Sequence, residues 1–558
     1  MAAVVVALLL AAACQADEGG SGGGNETPRG GGSNNSSERD PGGSAPWMTR
    51  SCAMPLRYLQ LIKRGDHPGR SPDIAVVPAA PNFFGSFAVT SHSGPWRYLQ
   101  KVPLVFYGPG FIRSQGEVAP DREVTVADLA PTLAELLDVE WRDDRAGRPL
   151  HEVLVPEGDR PGRPKMVLVV VWDGGGLNVL TRWGGAWPHL RKLMNQGSSI
   201  TGASVGSSPS VTPAIHATIG TGTFPRDHGI VDLQRRDGPE VVGSFAGERP
   251  EDLLLPTLAD MYDPTTDNKA KVGMLAERNW HMGMIGHGAA LDGGDKDIAV
   301  FGEAGKDFYS NTEIFSFPAY IPDVPGLDQD VRRVDLEDGR LDGSWSGHPI
   351  LGEPEKFRQT PVSTLYQTRL LKKLFNREGF GTDDVPDLFY TNYKQPDLAG
   401  HIFNMVNPEM RSSLRFADGA LADLKAWLDK RVGTGSYVLA LTADHGMGPD
   451  PETVGAWPID IEELMKDAAE EFGVKQNVIF QKQRITGFWL NLRAMSDNGI
   501  SIGQLADFFV EYKLRHNATG KQIPSQYSDR LGEPLFEGAF PSNRLDEVME
   551  CARGDGGN

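Results

Sequence analysis

The chain has 558 residues, 39% of them hydrophobic, with 66 glycines and 40 prolines. That exceeds what one hydrophobic core usually holds, so it implies a large catalytic-size domain with insertions, or two domains. Its 74 acidic against 55 basic residues give a net charge of -19, which argues against a nucleic-acid polymer as the main partner.

Residues 1–14, "MAAVVVALLLAAAC", form an apolar run too short to span a bilayer but long enough for a signal-peptide core. The run resembles a bacterial lipoprotein signal that would be cut before Cys14 and lipidated there; a plain secretory signal is the alternative. Residues 15–47 are mostly small and polar and read as a disordered tether, unable to bury a core. The expectation is an exported protein, held at the outer face of the cell membrane by a lipid anchor only, or else secreted. Cys52 and Cys551 remain, and in an exported protein they either pair or stay free.

His92 lies in "TSHSGPWRYLQKVPLVFYGPGF", a small-residue turn ahead of an apolar strand-like run, with no acid, cysteine or second histidine beside it. In "KMVLVVVWDGGG" the run Val167–Val171 reads as a buried strand of the kind parallel sheets require, ending at Asp173 and three glycines. In "SSPSVTPAIHATIGTGTFPRDHGIVD" Thr212 precedes Pro213 and a helical pattern, which predicts Thr212 as N-cap and Pro213 as N1. Such a helix start also presents free N–H groups suited to a phosphate.

Residues 234–386 then intervene, with His281, His287, Asp292 and Asp295 in a Gly-rich stretch that could touch a leaving group or a third metal, or be only a tight loop. "DLFYTNYKQPDLAGH" places Asp397 and His401 on one face of a helical turn after a strand. "SYVLALTADHGM" ends another strand at Asp444 and His445. Ligands gather beyond the carboxyl ends of strands in open α/β sheets, and carboxylate plus imidazole suits zinc ahead of manganese or iron.

Together "WDGGG", "TPAIHATIGTGTFPRDHGIV", "PDLAGH" and "TADHG" resemble the type I phosphodiesterase/nucleotide pyrophosphatase family of the alkaline phosphatase superfamily. The resemblance implies an α/β fold: a mixed, mostly parallel sheet flanked by helices, with an inserted cap. It implies two divalent ions, one held by Asp173, Asp444, His445 and the Thr212 oxygen, the other by Asp397, His401 and a further histidine. In the family that histidine lies near the carboxyl end, and the segment here that is similar to that end is the one carrying His92. The resemblance therefore implies a circular permutation: 48–155 as the permuted segment, 164–233 and 387–455 as catalytic core, 234–386 as cap and 456–558 as a C-terminal α/β part. That order also brings Cys52 and Cys551 together and favours a disulfide.

The implied activity is hydrolysis of a small-molecule phosphate ester, a phosphodiester or nucleotide pyrophosphate, through a covalent phospho-threonine at Thr212. Leu233 stands where the family often has a phosphate-holding asparagine, which turns attention to Gln234, Arg235 and Arg236 as substitute donors. The competing readings are an alkaline phosphatase-type phosphomonoesterase and a non-catalytic surface lipoprotein of the same fold. A sulfatase is disfavoured because "CAMPLR" at Cys52 has the wrong spacing for a formylglycine precursor.

Overall fold

The computed structural model describes residues 45–85, 88–519 and 523–554; Cys14, its signal and most of the tether lie outside them. An eight-stranded sheet runs in the order Ile298–Phe301, Val272–Ala276, Asp387–Tyr393, Met166–Trp172, Tyr437–Thr442, Leu104–Tyr107, Ser198–Ile200 and Gly116–Val118. Neighbours are parallel except around Leu104–Tyr107, which is antiparallel to both of its partners. The fold is the mixed α/β sheet expected.

The Met166–Trp172 strand shows why these runs are continuously apolar. Val167, Val169 and Val171 enter one core and Met166, Leu168, Val170 and Trp172 the other, so both faces need hydrophobic side chains. Helices Leu129–Leu137 and Thr212–Thr221 contribute to the first core, and Pro361–Glu378 and Pro408–Leu428 to the second. Among the described residues no helix is long and apolar enough to cross a membrane.

The segment 234–386 does not stand apart as a cap. Its Val272–Ala276 strand pairs with Asp387–Tyr393, and Ile298–Phe301 pairs outside it, so the segment builds one edge of the main sheet. The physical reason is its apolar content: both strands bury their side chains in the two cores, as an independent cap could not.

A second, antiparallel sheet of four strands runs Phe480–Arg484, Gly487–Leu490, Ile74–Pro78 and Phe536–Pro541, over its own core. Segment 48–155 is therefore divided: Ile74–Pro78 joins the C-terminal part, while Leu104–Tyr107 joins the main sheet. Helices Pro46–Cys52 and Leu545–Gly554 meet on the smaller module, where a disulfide links Cys52 to Cys551 with Cα atoms 5.8 Å apart.

Candidate metal centre

Three neighbouring parallel strands deliver the site. Asp173 follows Met166–Trp172, Lys394 follows Asp387–Tyr393, and Asp444 and His445 come just after Tyr437–Thr442. Gly174 has φ +68°, and a Cβ there would lie 2.8 Å from Asp397 Cα, so the close approach of these loops requires glycine. Asp397 and His401 share a face of the helix Gln395–Phe403, with His401 Nε2 3.3 Å from Asp397 Oδ1.

His92 reaches the same place from far up the chain. Its Nε2 lies 4.0 Å from Asp397 Oδ1, and its ring stacks on His445 with centroids 3.7 Å apart. The segment before it is tied down by Val89 N–H donating to His401 O over 2.9 Å. Two groups of donor atoms result, each within 4.8 Å: Asp173, Asp444 and His445, and His92, Asp397 and His401.

Thr212 is the first residue of the helix Thr212–Thr221 rather than its N-cap, a position held by extended Val211. Its hydroxyl is thus free of the helix start and lies 3.0 Å from Lys394 Nζ. That ammonium is also 2.9 Å from Asp173 Oδ1 and 2.7 Å from Asp397 Oδ2.

Each imidazole is oriented the same way. His92 Nδ1 meets Ser210 O at 2.8 Å, His401 Nδ1 meets Thr90 O at 2.8 Å and His445 Nδ1 meets Gly446 O at 2.9 Å. A carbonyl only accepts, so Nδ1 carries the hydrogen and each Nε2 lone pair faces the carboxylates, the usual arrangement of metal-ligating histidine.

The electrostatics ask for cations. Asp173, Asp397 and Asp444 are at most 2% exposed, and the one ammonium set among them is Lys394. Burial, the largest single influence, would raise Asp173 and Asp397, but Lys394 together with the neighbouring histidines outweighs it and holds both below the ordinary carboxylate range. Asp444 takes the excess: burial and then Asp173 push it well above that range. Burial, followed by His445 and His401, keeps His92 well below the usual histidine value. Asp397 Oδ1, Asp444 Oδ2 and His445 Nε2 are buried without a hydrogen-bond partner. Buried polar atoms left without partners are costly unless cations satisfy them, so these residues fit divalent cations.

The Gly-rich stretch is split three ways. His281 goes to Asp173, with Nε2 3.4 Å from Oδ2. His287 is bound instead by Asp260 Oδ2 at 2.8 Å and Leu253 O at 3.0 Å, so it serves the scaffold, not a substrate. Asp295 gathers with Asp263 and Asp297 in a separate carboxylate cluster; burial first, then Asp295, pushes Asp263 up to about 7. Arg235 is paired with Asp252 and Asp237, and Gln234 sits buried in the same Gln234–Asp237 strand. Those two acids engage both terminal nitrogens of the Arg235 guanidinium.

Three participants are not marked as such by the sequence. Lys394 lies three residues before Asp397, His216 lies one helical turn after Thr212, and Asn392 donates to Asp173 Oδ2 over 3.0 Å. The i, i+4 step from Thr212 to His216 is the one signal available for them, since both must share a helix face. A small cleft beside Lys394 is lined by Glu277, Glu303, Ser363, Thr364 and Gln367.

The family described as type I phosphodiesterase/nucleotide pyrophosphatase matches residues 167–530, more than half of the 558. The chain belongs to that family. It is 23% identical over 401 residues to alkaline phosphatase PafA of Elizabethkingia meningoseptica, covering 62% of this chain and 71% of that protein. It is 23% identical over 338 residues to alkaline phosphatase PhoV of Synechococcus elongatus, covering 51% of this chain and 59% of that protein. The crystal structure of wild-type PafA superposes with a TM-score of 0.52 at 18% identity, over 67% of this chain and 84% of that one. The family member is accordingly a phosphoric-ester hydrolase of the phosphodiesterase/alkaline phosphatase superfamily, with an alkaline-phosphatase-like fold.

Proposed function

We propose that the protein hydrolyses phosphate esters by way of a phospho-threonine at Thr212, in a site loaded with two zinc ions. The observation that carries this is the position of the Thr212 hydroxyl, at a helix start and 3.0 Å from Lys394 Nζ, beside two carboxylate–imidazole groups. Asp173, Asp444 and His445, with the Thr212 oxygen, would hold one ion, and Asp397, His401 and His92 the other. When bound, two such ions supply Lewis acidity that favours an alkoxide and neutralises charge at an in-line phosphoryl transfer. Thr212 Oγ attacks phosphorus and the ester oxygen departs; water then attacks phosphorus and returns the hydroxyl. Lys394 steadies the Thr212 oxygen and compensates Asp173 and Asp397. The N–H groups at the start of the Thr212 helix face a phosphoryl oxygen.

Lys394 also supports a second reading. Three aspartates, two divalent ions and a Thr212 alkoxide sum to zero, which suits a singly charged diester; the Lys394 ammonium adds one positive charge and favours a dianionic monoester. The relatives named alkaline phosphatases agree with that preference. Comparing a chromogenic monoester with its diester, then acid-quenching during turnover, tests both readings. A phosphate on Thr212 by mass spectrometry is the expected result; a Thr212→Ala variant that keeps full turnover would sink the nucleophile.

The proximity of His92 to Asp397 supports a permuted chain order, with the segment from 90 onward standing for the family's carboxyl end. The Cys52–Cys551 disulfide, which draws the two ends of the folded part together, agrees with it. Export and lipid attachment at Cys14 complete the proposal; incorporation of a labelled fatty acid that disappears in Cys14→Ser is the check.

A further inference from the structure

We propose that Asp263, Asp295 and Asp297 form a structural calcium site at the amino end of the large sheet, remote from the candidate metal centre. It uses none of the residues on which the two-ion reading depends.

The three carboxylates come from two loops. Asp263 opens the 3₁₀ turn Asp263–Thr266, directly after the helix Leu258–Tyr262, while Asp295 and Asp297 stand just before the strand Ile298–Phe301. That strand runs parallel to the ones that lead into Asp173 and Asp444, so Asp297 lies at the opposite end of the sheet from them. One oxygen of each carboxylate is within 4.8 Å of the others. Calcium ligands at about 2.3–2.6 Å stand up to roughly 5 Å apart across the ion, so the spacing fits.

Burial without a donor separates this group from an ordinary acidic surface. Asp263 is 3% exposed and Asp297 7%. Asp263 Oδ1 is buried with no partner, and among the described residues neither carboxylate meets an N–H, a hydroxyl or a cationic side chain. The other buried acids outside the metal centre all have one: Asp128 pairs with Arg122 and Asp330 with Arg369, and Asp335 and Asp418 accept backbone N–H groups. Two carboxylates aimed at each other inside the protein are costly unless a cation joins them. Burial and then Asp263 push Asp297 well above the ordinary carboxylate range, which is the repulsion such an ion removes.

Asn268 adds a neutral oxygen beside the group. Its N–H donates to Asp263 O over 3.2 Å and its Nδ2 to Gly293 O over 3.0 Å, which ties the two loops together and leaves its buried Oδ1 without a partner. Asp295 is exposed, so an ion enters from solvent on that side. A donor set of oxygens alone, with no imidazole or thiolate, selects a hard cation, and calcium tolerates the irregular coordination that magnesium does not. The bound ion would clamp the turn after Leu258–Tyr262 to the outermost strand of the sheet.

Calcium titration of the zinc-loaded holoenzyme, prepared in calcium-free buffer at pH 8 and read by calorimetry, thermal melting and turnover, tests the site. The expected result is one calcium per chain, a melting temperature about 3 °C higher at a concentration 100-fold above Kd, and unchanged turnover. Asp263→Asn and Asp297→Asn should each lose that rise. Both remove a negative charge from a repelling group, so neither should melt below the wild type when calcium is absent; calcium should reverse the order. A wild type that binds no calcium would overturn the site, and so would a calcium-dependent rise that persists in both variants.

Discussion

The two sheets of this molecule use burial for opposite ends. The four-stranded sheet of the smaller module covers an ordinary apolar core, with Trp47, Phe84, Phe488 and Phe536 fully enclosed, and is fastened by one covalent link. The eight-stranded sheet has cores of the same kind on both faces, but at the carboxyl ends of its central strands it buries three aspartates, one lysine and four histidines, with His401 half-buried beside them. Those charges cost folding free energy unless cations compensate them. Residues in the large sheet's loops should therefore govern turnover and metal content, and those in the small module should govern stability.

The strongest break of that contrast would come from His92, because it lies between the modules in sequence but serves the charged end. His92→Ala should cost more than the roughly 10–100-fold in activity seen when a ligand's supporting group is lost, with about one metal ion missing by metal analysis. Full turnover and metal content would place His92 with the scaffold. Next comes Lys394→Met, expected to lower kcat/KM for a monoester by about 10²-fold and for a diester by less, since it removes one preorganised positive charge; steady-state kinetics on the pair of substrates measures it. On the stability side, Cys52→Ser should lower unfolding free energy by about 2–4 kcal/mol while leaving turnover at 25 °C unchanged. Denaturant titration and an assay on the same sample read both. The smallest effect belongs to the separate carboxylate cluster. In calcium-free solution Asp263, pushed up to about 7 by burial and then by Asp295, costs the fold nothing below about pH 4 and progressively more as pH rises from there through about 7. Asp263→Asn should therefore raise the melting temperature at pH 8, and the gain should vanish near pH 4.

Where a candidate ligand directly follows a long apolar strand, the sequence displays it. Asp173, Asp444 and His445 are legible because Met166–Trp172 and Tyr437–Thr442 can only be central strands, and Asp397 with His401 because their spacing fits one helical turn. His92 is legible only through the family resemblance, since nothing beside it in sequence marks its purpose. His216 and Lys394 stand inside the same motifs, yet in sequence they look like parts of a helix and a loop. His287 and Arg235 mislead for the opposite reason: a Gly-rich neighbourhood and a position near the family's asparagine say nothing of direction, and Asp260 and Asp252 have claims on them. The segment 234–386 reads as a cap because it is inserted between the family motifs; pairing with Asp387–Tyr393 places its Val272–Ala276 strand in the sheet.

The strap around Thr90 and His92 has a temporal meaning. Thr90 and His401 are 311 residues apart in the chain, yet one orients the other. At about 5–20 residues per second of synthesis, roughly 15–60 s pass between the emergence of the two. Throughout that interval His92 stands without Asp397 and His401, so the candidate group of these three can assemble only after both segments have been made.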